Sequence, residues 1–300
     1  MGWGENGCGS PQNEVLYYWG CHTDATDGIL RNPGELTLDF VYLDPDEIED
    51  DDPDFVILPD KGNANVCGAC HSGRGNDTSI RKAVIDDNRS TRFAGHYAPT
   101  AGSLYAEVVH TGFEFTGQDY TPKSFFAHDI IETNGDSPET GDGPCVGCHM
   151  DTTADHTFEA VEEDTNGNIV AINNQALCNT CHGTSITPSV LEELKGGFED
   201  ASSLLDDYVT NDITNYLNLD VEANYETVPL NAYGAFQDSI YMHEEGGIYV
   251  HNRFYGKRLI FDSIDWLDNG VLNGTITIPA EYPEARTWLN ADANGVATRP

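Results

Sequence analysis

Three copies of a short pattern, Cys-x-x-Cys-His, constrain this chain more than any other feature of its sequence. In each copy, the two thiols can add across the two vinyl groups of one porphyrin, and the adjacent histidine is placed under the iron as its proximal ligand. Zinc ribbons and thioredoxin-like dithiols also use paired cysteines, but neither explains why a histidine directly follows every pair. The pattern therefore predicts covalently attached c-type haem. The predicted ligands are Cys67, Cys70 and His71, then Cys145, Cys148 and His149, then Cys178, Cys181 and His182.

A fourth haem is predicted from the two remaining cysteines, Cys8 and Cys21. His22 directly follows Cys21, so these residues form a stretched version of the same pattern. Attachment requires two thiols near the vinyl carbons and a histidine beside the second, and it does not require the cysteines to be close in sequence. The alternative is a Cys8–Cys21 disulfide, which is normal in exported proteins. The adjacent histidine favours the haem, so we predict four haem c groups, with His22 as the fourth proximal ligand.

The count of histidines predicts the second axial ligand of each iron. The chain has ten histidines, of which four belong to the motifs and six are spare. Methionine is the usual competitor for the second position, and the chain has only Met1, Met150 and Met242. Met150 directly follows His149, on the proximal side of that haem, and cannot easily reach the far face. The excess of histidine therefore predicts bis-histidine ligation and low reduction potentials.

The chain is strongly acidic, with 51 Asp and Glu against 14 Lys and Arg and a formal net charge of -37. Such a surface repels nucleic acid and anionic membrane faces, so we expect no nucleic-acid partner. Residues 44–54 carry eight acids in eleven positions and predict a solvated loop. The fragments 164–168 and 292–295 resemble pieces of calcium loops without the closing Glu. We interpret both as turns, with bound Ca²⁺ or another divalent cation as the alternative.

Composition also predicts the fold class. The chain has 30 Gly and 14 Pro, and four haems can replace much of a side-chain core. We expect a mostly irregular chain with short α-helices and little β structure, wrapped around a row of covalent haems. The expected organisation is a single multihaem domain over residues 1–300. Haem attachment falls in residues 1–185, and a C-terminal helical and loop region, 186–300, supplies a distal ligand and contacts.

Local patterns predict a few individual elements. Residues 36–43 alternate between apolar and polar side chains, as in a short strand. Apolar residues follow helical spacing after Pro188, with Thr187 as the start of that helix. A second helix is predicted over 252–267, ended by Gly270. The last thirty residues predict turns and one short strand.

The sequence contains no run of about 18 apolar residues, so we expect no membrane span. Residues 1–5 have neither a basic nor an apolar region, so no signal peptide is visible. Covalent haem attachment in prokaryotes takes place outside the cytoplasmic membrane. We therefore expect an extracellular or cell-surface protein, exported by a signal peptide that is not present in this sequence.

The residues around the spare histidines are similar to segments of a known family. The similar segments are 145–158, where a haem motif precedes His156-Thr157-Phe158, then 96–99 leading to 112–115, and 250–264. Over about residues 65–270 the chain resembles outer-surface multihaem c-type cytochromes of metal-reducing bacteria, of the filament-forming tetrahaem nanowire type. Two histidines, His110 and His243, have no matching place and are kept as alternatives. Carried over by position, the resemblance implies four distal ligands, His96, His128, His156 and His251.

The resemblance implies extracellular electron transfer through stacked bis-histidine haems in a head-to-tail polymer of this chain. Other multihaem cytochromes or extracellular electron acceptors would be the partners. One alternative is a soluble monomeric tetrahaem carrier, which requires all eight axial ligands to come from one chain. The other is a multihaem oxidoreductase of the nitrite or hydroxylamine type, which requires an iron with an open axial position. The spare histidines argue against an open position, so we expect no enzyme and no catalytic residues.

Overall fold

The computed structural model describes residues 18–23, 28–38, 56–73, 75–91, 99–106, 112–121, 128–131, 142–150 and 155–300. Cys8, His96, His110 and the acidic run 44–54 lie outside these ranges. The helices of the described residues are α1 Tyr18–Cys21, α2 Asn65–His71, α3 Asp77–Ile85, α4 Thr100–Leu104, α5 Gly143–His149, α6 Gln175–His182, α7 Pro188–Thr210, α8 Leu230–Glu244, α9 Ile248–His251, α10 Arg253–Asn269 and α11 Pro283–Trp288. The strands are β1 Leu36–Leu38, β2 Val56–Leu58, β3 Val161–Glu163, β4 Ile169–Ile172, β5 Thr275–Thr277 and β6 Val296–Thr298.

Each Cys-x-x-Cys-His motif lies at the end of a short helix. The helices α2, α5 and α6 end at the motif histidines, and α1 ends at Cys21, directly before His22. Residues three and four apart share one face of a helix. The first cysteine of each motif therefore lies on the same face as the second cysteine and the histidine. Local helical geometry alone thus places two thiols and one imidazole together.

Long helices dominate the C-terminal region, and two of them begin as the sequence predicts. At the start of α7, the hydroxyl of Thr187 accepts a hydrogen bond from the backbone N–H of Val190, an N-terminal cap that satisfies an otherwise unpaired donor. At the start of α10, the side chain of Asn252 accepts from the N–H of Tyr255. Gly270 ends α10 with a φ of +81°, a left-handed conformation that suits glycine. Both helix predictions are confirmed.

The described strands form three two-stranded antiparallel sheets, β1 with β2, β3 with β4, and β5 with β6. In the turn between β3 and β4, Oδ1 of Asp164 accepts hydrogen bonds from the N–H groups of Asn166 and Asn168. Asp292 accepts in the same way just before β6. The interpretation of both fragments as turns is confirmed. Within the described ranges, no group of three or more His, Cys, Asp and Glu side chains is placed to hold a metal ion. Cation binding stays a prediction.

The main hydrophobic core lies among α7, α8, α10 and α11, and it includes Ile80, Phe113 and Phe115 from the haem-attachment region. Burying each such side chain contributes about 1.5–3 kcal/mol to folding. The side chain of Arg89 adds hydrogen bonds to two carbonyl oxygens, those of Tyr225 and Val228. The haem-attachment region is therefore anchored to the C-terminal helices by shared core residues. A smaller cluster comprises Leu38, Leu58, Ala101, Leu104 and Tyr105.

Helices and loops make up most of the described chain and the strands are short, which agrees with the predicted fold class. Wrapping of the chain around haem stays a prediction. The helices α7, α8 and α10 are longer than the short helices expected for the chain as a whole, because they pack against each other around a conventional apolar core. No helix in the described parts of the chain combines the length and apolar character that crossing a membrane requires.

Gly234→Ala is expected to destabilise the protein by about 1–2 kcal/mol. A Cβ at this position in α8 would lie 2.1 Å from a ring atom of Phe113, which is fully buried. Overpacking of this kind costs about 1–3 kcal/mol, partly offset by about 0.5–1 kcal/mol from replacing a helical glycine. Urea unfolding followed by far-ultraviolet circular dichroism measures the change.

Gly196→Ala in α7 is the matched control. Its Cβ would meet only the carboxylate end of Glu284, which is exposed and free to move aside. We expect this variant to be as stable as the parent protein or more so. Equal destabilisation of both variants would contradict the close packing of α8 against Phe113.

Candidate haem sites

Three pairs of histidine rings lie close together, and each pair joins a motif histidine to one of the histidines that the resemblance implies as distal ligands. The ring centroids are 5.8 Å apart in the first pair and 6.2 Å apart in the other two. The members of a pair come from different segments of the chain, so tertiary folding brings them together. The pairs are His22 with His156, His149 with His251, and His182 with His128.

The separation of the rings fits two imidazoles on opposite sides of one iron. A metal–imidazole bond of about 2 Å on each side, with each ring centre about 1.1 Å behind its bonding nitrogen, gives centroids about 6 Å apart. None of the seven described cysteines forms a disulfide with another, so the motif thiols are available for thioether bonds. The donor set therefore fits haem c at the pairs His149–His251 and His182–His128, and the pair His22–His156 has one described thiol, that of Cys21.

Hydrogen bonds fix the orientation of four of these rings through Nδ1. Carbonyl and carboxylate oxygens only accept hydrogen bonds, so Nδ1 carries the proton in each ring. Nε2 then keeps its lone pair, and it is the nitrogen available to a metal ion. Ligating histidines typically hold their other ring nitrogen in this way. The distances from Nδ1 are 3.0 Å for His22 to Gly28 O, 2.8 Å for His128 to Val250 O, 2.8 Å for His149 to Phe158 O, and 2.7 Å for His251 to Glu245 Oε1.

Burial favours the neutral form of two of the rings. It lowers the pKa of His128 and of His149, and the hydrogen bond from each ring to a carbonyl opposes this only in part. Neutral imidazole is the form that binds metal ions. The rings of His128 and His149 are therefore suited to bind a metal ion without competition from a proton.

The histidine pairs and the motifs define four candidate sites, numbered 1 to 4 in chain order. Each site contains one motif, and three of them contain a second histidine within the described residues. Site 1 is Cys21, His22 and His156; site 2 is Cys67, Cys70 and His71; site 3 is Cys145, Cys148, His149 and His251; site 4 is Cys178, Cys181, His182 and His128.

Sites 1, 2 and 3 are neighbours in space. Burial raises the pKa of Cys21, and the nearby thiols of Cys67 and Cys70 raise it further, which places sites 1 and 2 side by side. The thiols of Cys67 and Cys145 lie close enough together for their interaction to lower the pKa of Cys67, which places sites 2 and 3 side by side. The first three motifs are therefore adjacent in the order of the sequence.

Site 4 is the neighbour of site 3 on the distal side. The ring of His251 and that of His182, the partner of His128, both lie close enough to His128 to lower its pKa by electrostatic repulsion. His128 also hydrogen-bonds to Val250, the residue before His251. Contacts thus follow the order 1, 2, 3 and 4, called the row of sites below, and a further contact through Phe158 connects site 1 directly with site 3.

Phe158 connects sites 1 and 3. Its carbonyl oxygen accepts the hydrogen bond of His149, and its ring packs edge-on against His156 with centroids 6.1 Å apart. Phe158 has a φ of +59°, an uncommon conformation for a bulky residue. Strained backbone of this kind persists where surrounding contacts over-determine it. Here the two contacts to histidines on different sites supply that constraint.

The remaining predicted ligands are His71, His96, His110 and His243. His71 ends α2 in site 2, close enough to His149 to act on its charge, while His96 and His110 lie outside the described residues. His243 has a different environment, because its side chain is 65% exposed and its Nε2 lies 2.7 Å from Oδ2 of Asp206. The structure therefore places His243 beside a carboxylate of α7.

Comparison with known proteins finds similarity to polyheme cytochromes. The C-type polyheme cytochrome OmcC of Geobacter sulfurreducens is 38% identical to the chain over an alignment of 338 positions, gaps included, covering 100% of the chain and 43% of the relative. OmcB of the same species, also a C-type polyheme cytochrome, is 36% identical over an alignment of 316 positions, gaps included, covering 94% of the chain and 42% of the relative. The similarity supports a multihaem c-type cytochrome.

The chain spans less than half the length of the curated relatives that it matches. No protein-family model and no solved structure matches it. Relatives that are polyheme cytochromes agree with the haem c predicted from the motifs. The number of haems and the identity of their ligands stay predictions.

Three residues of the candidate sites could not be recognised in the sequence. Glu245 is one of 51 acids, and nothing near it in the sequence distinguishes it from the others. Gly143 and Phe158 act through backbone geometry, a φ of +71° at the first and an accepting carbonyl at the second. The one available signal was the position of Gly143 two residues before a motif cysteine.

Proposed function

We propose that this cytochrome transfers electrons through four c-type haems, each bound by two histidines. The observation that supports the proposal most directly is the set of three histidine pairs, each with ring centroids 5.8–6.2 Å apart within one chain. Bound haem would supply a one-electron couple at each site. Because the sites are adjacent, an electron could pass from each couple to the next along the row.

The residues of the chain hold, orient and shield the cofactors. At site 3, for example, Cys145 and Cys148 would form the thioethers, while His149 and His251 would bind the iron from its two faces. The Nδ1 hydrogen bonds of the two histidines fix ring orientation, so a change of oxidation state requires little movement of the ligands. Site 1 would use Cys8 and Cys21 with His22 and His156 in the same way.

The second ligand at site 2 is assigned by elimination. His128, His156 and His251 pair with the histidines of sites 4, 1 and 3. Of the four distal ligands that the resemblance implies, only His96 remains for His71. We therefore propose His71 and His96 as the ligands of site 2, with His110 as the alternative.

An electron-transfer role is favoured over an enzyme because three sites have two histidines available. A reductase would need an iron with an open position for its substrate, and a histidine on each face leaves none. In the proposed role, the protein therefore binds no small-molecule substrate at these three irons.

The haem content tests this proposal. The denatured protein should retain four haems by mass, and Cys21→Ala should retain three. Native protein should be low spin throughout, and its reduced form should not bind carbon monoxide. Three haems in the parent protein would support the Cys8–Cys21 disulfide instead. A substantial high-spin fraction would support an enzyme.

The proposed assembly is a head-to-tail polymer at the cell surface, where it would exchange electrons with other multihaem cytochromes or extracellular acceptors. A heterologous contact that does not close generates an open filament. The second candidate is a soluble carrier, and it is favoured by one observation: three sites find both histidines within one chain. In the polymer, therefore, only site 2 could take its second histidine from a neighbouring subunit.

Negative-stain imaging of purified protein distinguishes the two assemblies. The net charge of -37 opposes association, so we expect filaments at moderate salt and their loss at low salt. Three single changes, of His128, His156 and His251 to Ala, should leave polymerisation intact, because these residues act within the chain. Particles that stay monomeric at high concentration in salt would remove the filament and leave the soluble carrier.

A further inference from the structure

The partner of His251 differs in charge from the partners of three other paired histidines. His22, His128 and His149 each hold Nδ1 against a backbone carbonyl, which is neutral. His251 holds Nδ1 2.7 Å from Oε1 of Glu245, a distance typical of charge-assisted hydrogen bonds. Site 3 is thus distinguished by a carboxylate beside one of its proposed iron ligands.

Glu245 is buried and held in place. Its side chain has no exposed surface, against 19% for the side chain of His251. Oε1 also lies 2.6 Å from the hydroxyl of Ser103, which donates to it. Among the described residues, Oε2 has no hydrogen-bond partner. The hydrogen-bonded oxygen is therefore directed at His251, and little solvent is available to screen the charge.

The surrounding backbone fixes His251 against Glu245. A Cβ at Gly247 would lie 2.5 Å from Cε1 of the His251 ring, so only glycine leaves room for the ring in this position. The side-chain amide of Asn252 donates to the carbonyl oxygen of Ser103 at 3.0 Å. These contacts join α4 to α9 and keep the carboxylate, the hydroxyl and the imidazole in one arrangement.

A carboxylate that accepts a hydrogen bond from Nδ1 changes how strongly Nε2 donates electrons to a metal ion. It draws the ring proton towards itself, which makes the imidazole a stronger electron donor to a metal ion. The buried negative charge also stabilises the higher oxidation state of a nearby iron. We propose that Glu245 is a positioning residue that lowers the reduction potential of the haem at site 3. This inference rests on the proposed role of His251 as an axial ligand.

The consequence concerns the row of sites. Site 3 lies between sites 2 and 4, so the haem that Glu245 acts on is internal. A lowered potential at an internal site opposes residence of the electron there and favours residence at its neighbours. Glu245 thereby biases the distribution of electrons towards either end of the row.

Glu245→Gln in the haem-loaded protein tests the proposal by potentiometric titration. Glutamine keeps an oxygen that accepts from His251 and Ser103 but removes the charge. We expect one of the four midpoint potentials to rise, with about a tenfold change in the oxidised-to-reduced ratio of that haem, which is 59 mV for a one-electron couple. The other three potentials and the low-spin spectrum should not change.

Two variants exclude a general effect of altered packing. Ser103→Ala removes a competing donor but leaves the charge, so the same potential should fall by a smaller amount. Asp238→Asn changes another buried carboxyl, which hydrogen-bonds to Phe113 and Ser263, and should leave all four potentials unchanged. The proposal is overturned if Glu245→Gln shifts no potential, if it shifts all four equally, or if Ser103→Ala raises the potential.

Failure of the proposal is distinguishable from failure of the proposed function. If His251 were not an axial ligand, His251→Ala would leave every haem low spin. If His251 is a ligand and Glu245 has no influence, His251→Ala changes the spin state while Glu245→Gln leaves the potentials unchanged. The two variants are therefore measured together, each by spectrum and by titration.

Discussion

His251→Ala is expected to convert one of the four haems from low spin to high spin and to allow that haem, when reduced, to bind carbon monoxide. The ring of His251 lies 6.2 Å from that of His149, and its orientation is fixed by the hydrogen bond to Glu245. Alanine removes the sixth ligand of one iron and leaves its fifth in place. The change is large because loss of the sixth ligand weakens the ligand field at one iron, while the other irons keep theirs.

Haem attachment should survive the substitution, because both thiols and the motif histidine of site 3 remain. Mass measurement of the denatured variant should therefore give the same four haems as the parent protein. Removing one partner of a buried carboxylate costs about 1–3 kcal/mol, so folding is checked by far-ultraviolet circular dichroism before spectra are compared.

His243→Ala is the matched control for this prediction. His243 is also a spare histidine near the end of a C-terminal helix, but its side chain is 65% exposed and bonded to Asp206. Its removal should leave the spin state and the haem count unchanged. High-spin haem in the His243 variant but not in the His251 variant would mean that the assignment of distal ligands is wrong.

The sequence predicts the haem motifs and the long amphipathic helices because both are encoded locally. A motif needs five consecutive residues, and α7 and α10 have apolar faces with recognisable caps at Thr187 and Gly270. Local periodicity and cap chemistry are sufficient for such elements. The sequence also supplies a set of spare histidines, but their number alone does not indicate which motif each one joins.

Among the helices that the sequence did not predict individually, α8 and α11 were missed for different physical reasons. Ten of the fifteen residues of α8 are buried, so its apolar residues do not form a stripe on one face. The helix α11 has only six residues, too few for a period to show, and it forms where Pro283 can begin a helix against α7. In both cases tertiary packing decides the structure.

The sequence also could not predict which spare histidine pairs with which motif histidine. His156 lies seven positions after His149 in the chain, yet its ring is paired with that of His22. The carbonyl of Phe158 instead returns to His149, which pairs with the distant His251. These pairs depend on how segments far apart in sequence meet, and no local pattern contains that information. Glu245 was missed for the same reason.

Gly143→Ala is expected to cost about 2–5 kcal/mol of stability and to separate site 2 from site 3. Gly143 begins α5 with a φ of +71°, and a Cβ there would lie 2.2 Å from the carbonyl oxygen of Lys61. Adopting the left-handed conformation costs a residue with a side chain about 1–2 kcal/mol. The overlap with backbone, which cannot move aside as a side chain can, adds about 1–3 kcal/mol.

The position of Gly143 explains why the damage should reach the haems. The carbonyl of Lys61 precedes the turn Gly62–Ala64, which leads directly into α2, and the amide of Asn63 donates to Asp142 across the same contact. Relief of the overlap must therefore move α5 away from α2. The sulfur atoms of Cys67 and Cys145, which lie beside each other, would move apart.

Soret circular dichroism and hydrogen exchange together measure this effect in the haem-loaded protein. The signal that neighbouring haems generate by coupling should weaken in Gly143→Ala, and exchange should accelerate in α2 and α5. Protection of α7, α8 and α10 should persist, because their core is built largely from C-terminal residues. Gly246→Ala is the control, since a Cβ there meets nothing within 4 Å and both readouts should match the parent protein. An unchanged Soret signal in Gly143→Ala, with four haems attached, would mean that the contact between the Gly62–Ala64 turn and α5 does not set the spacing of sites 2 and 3.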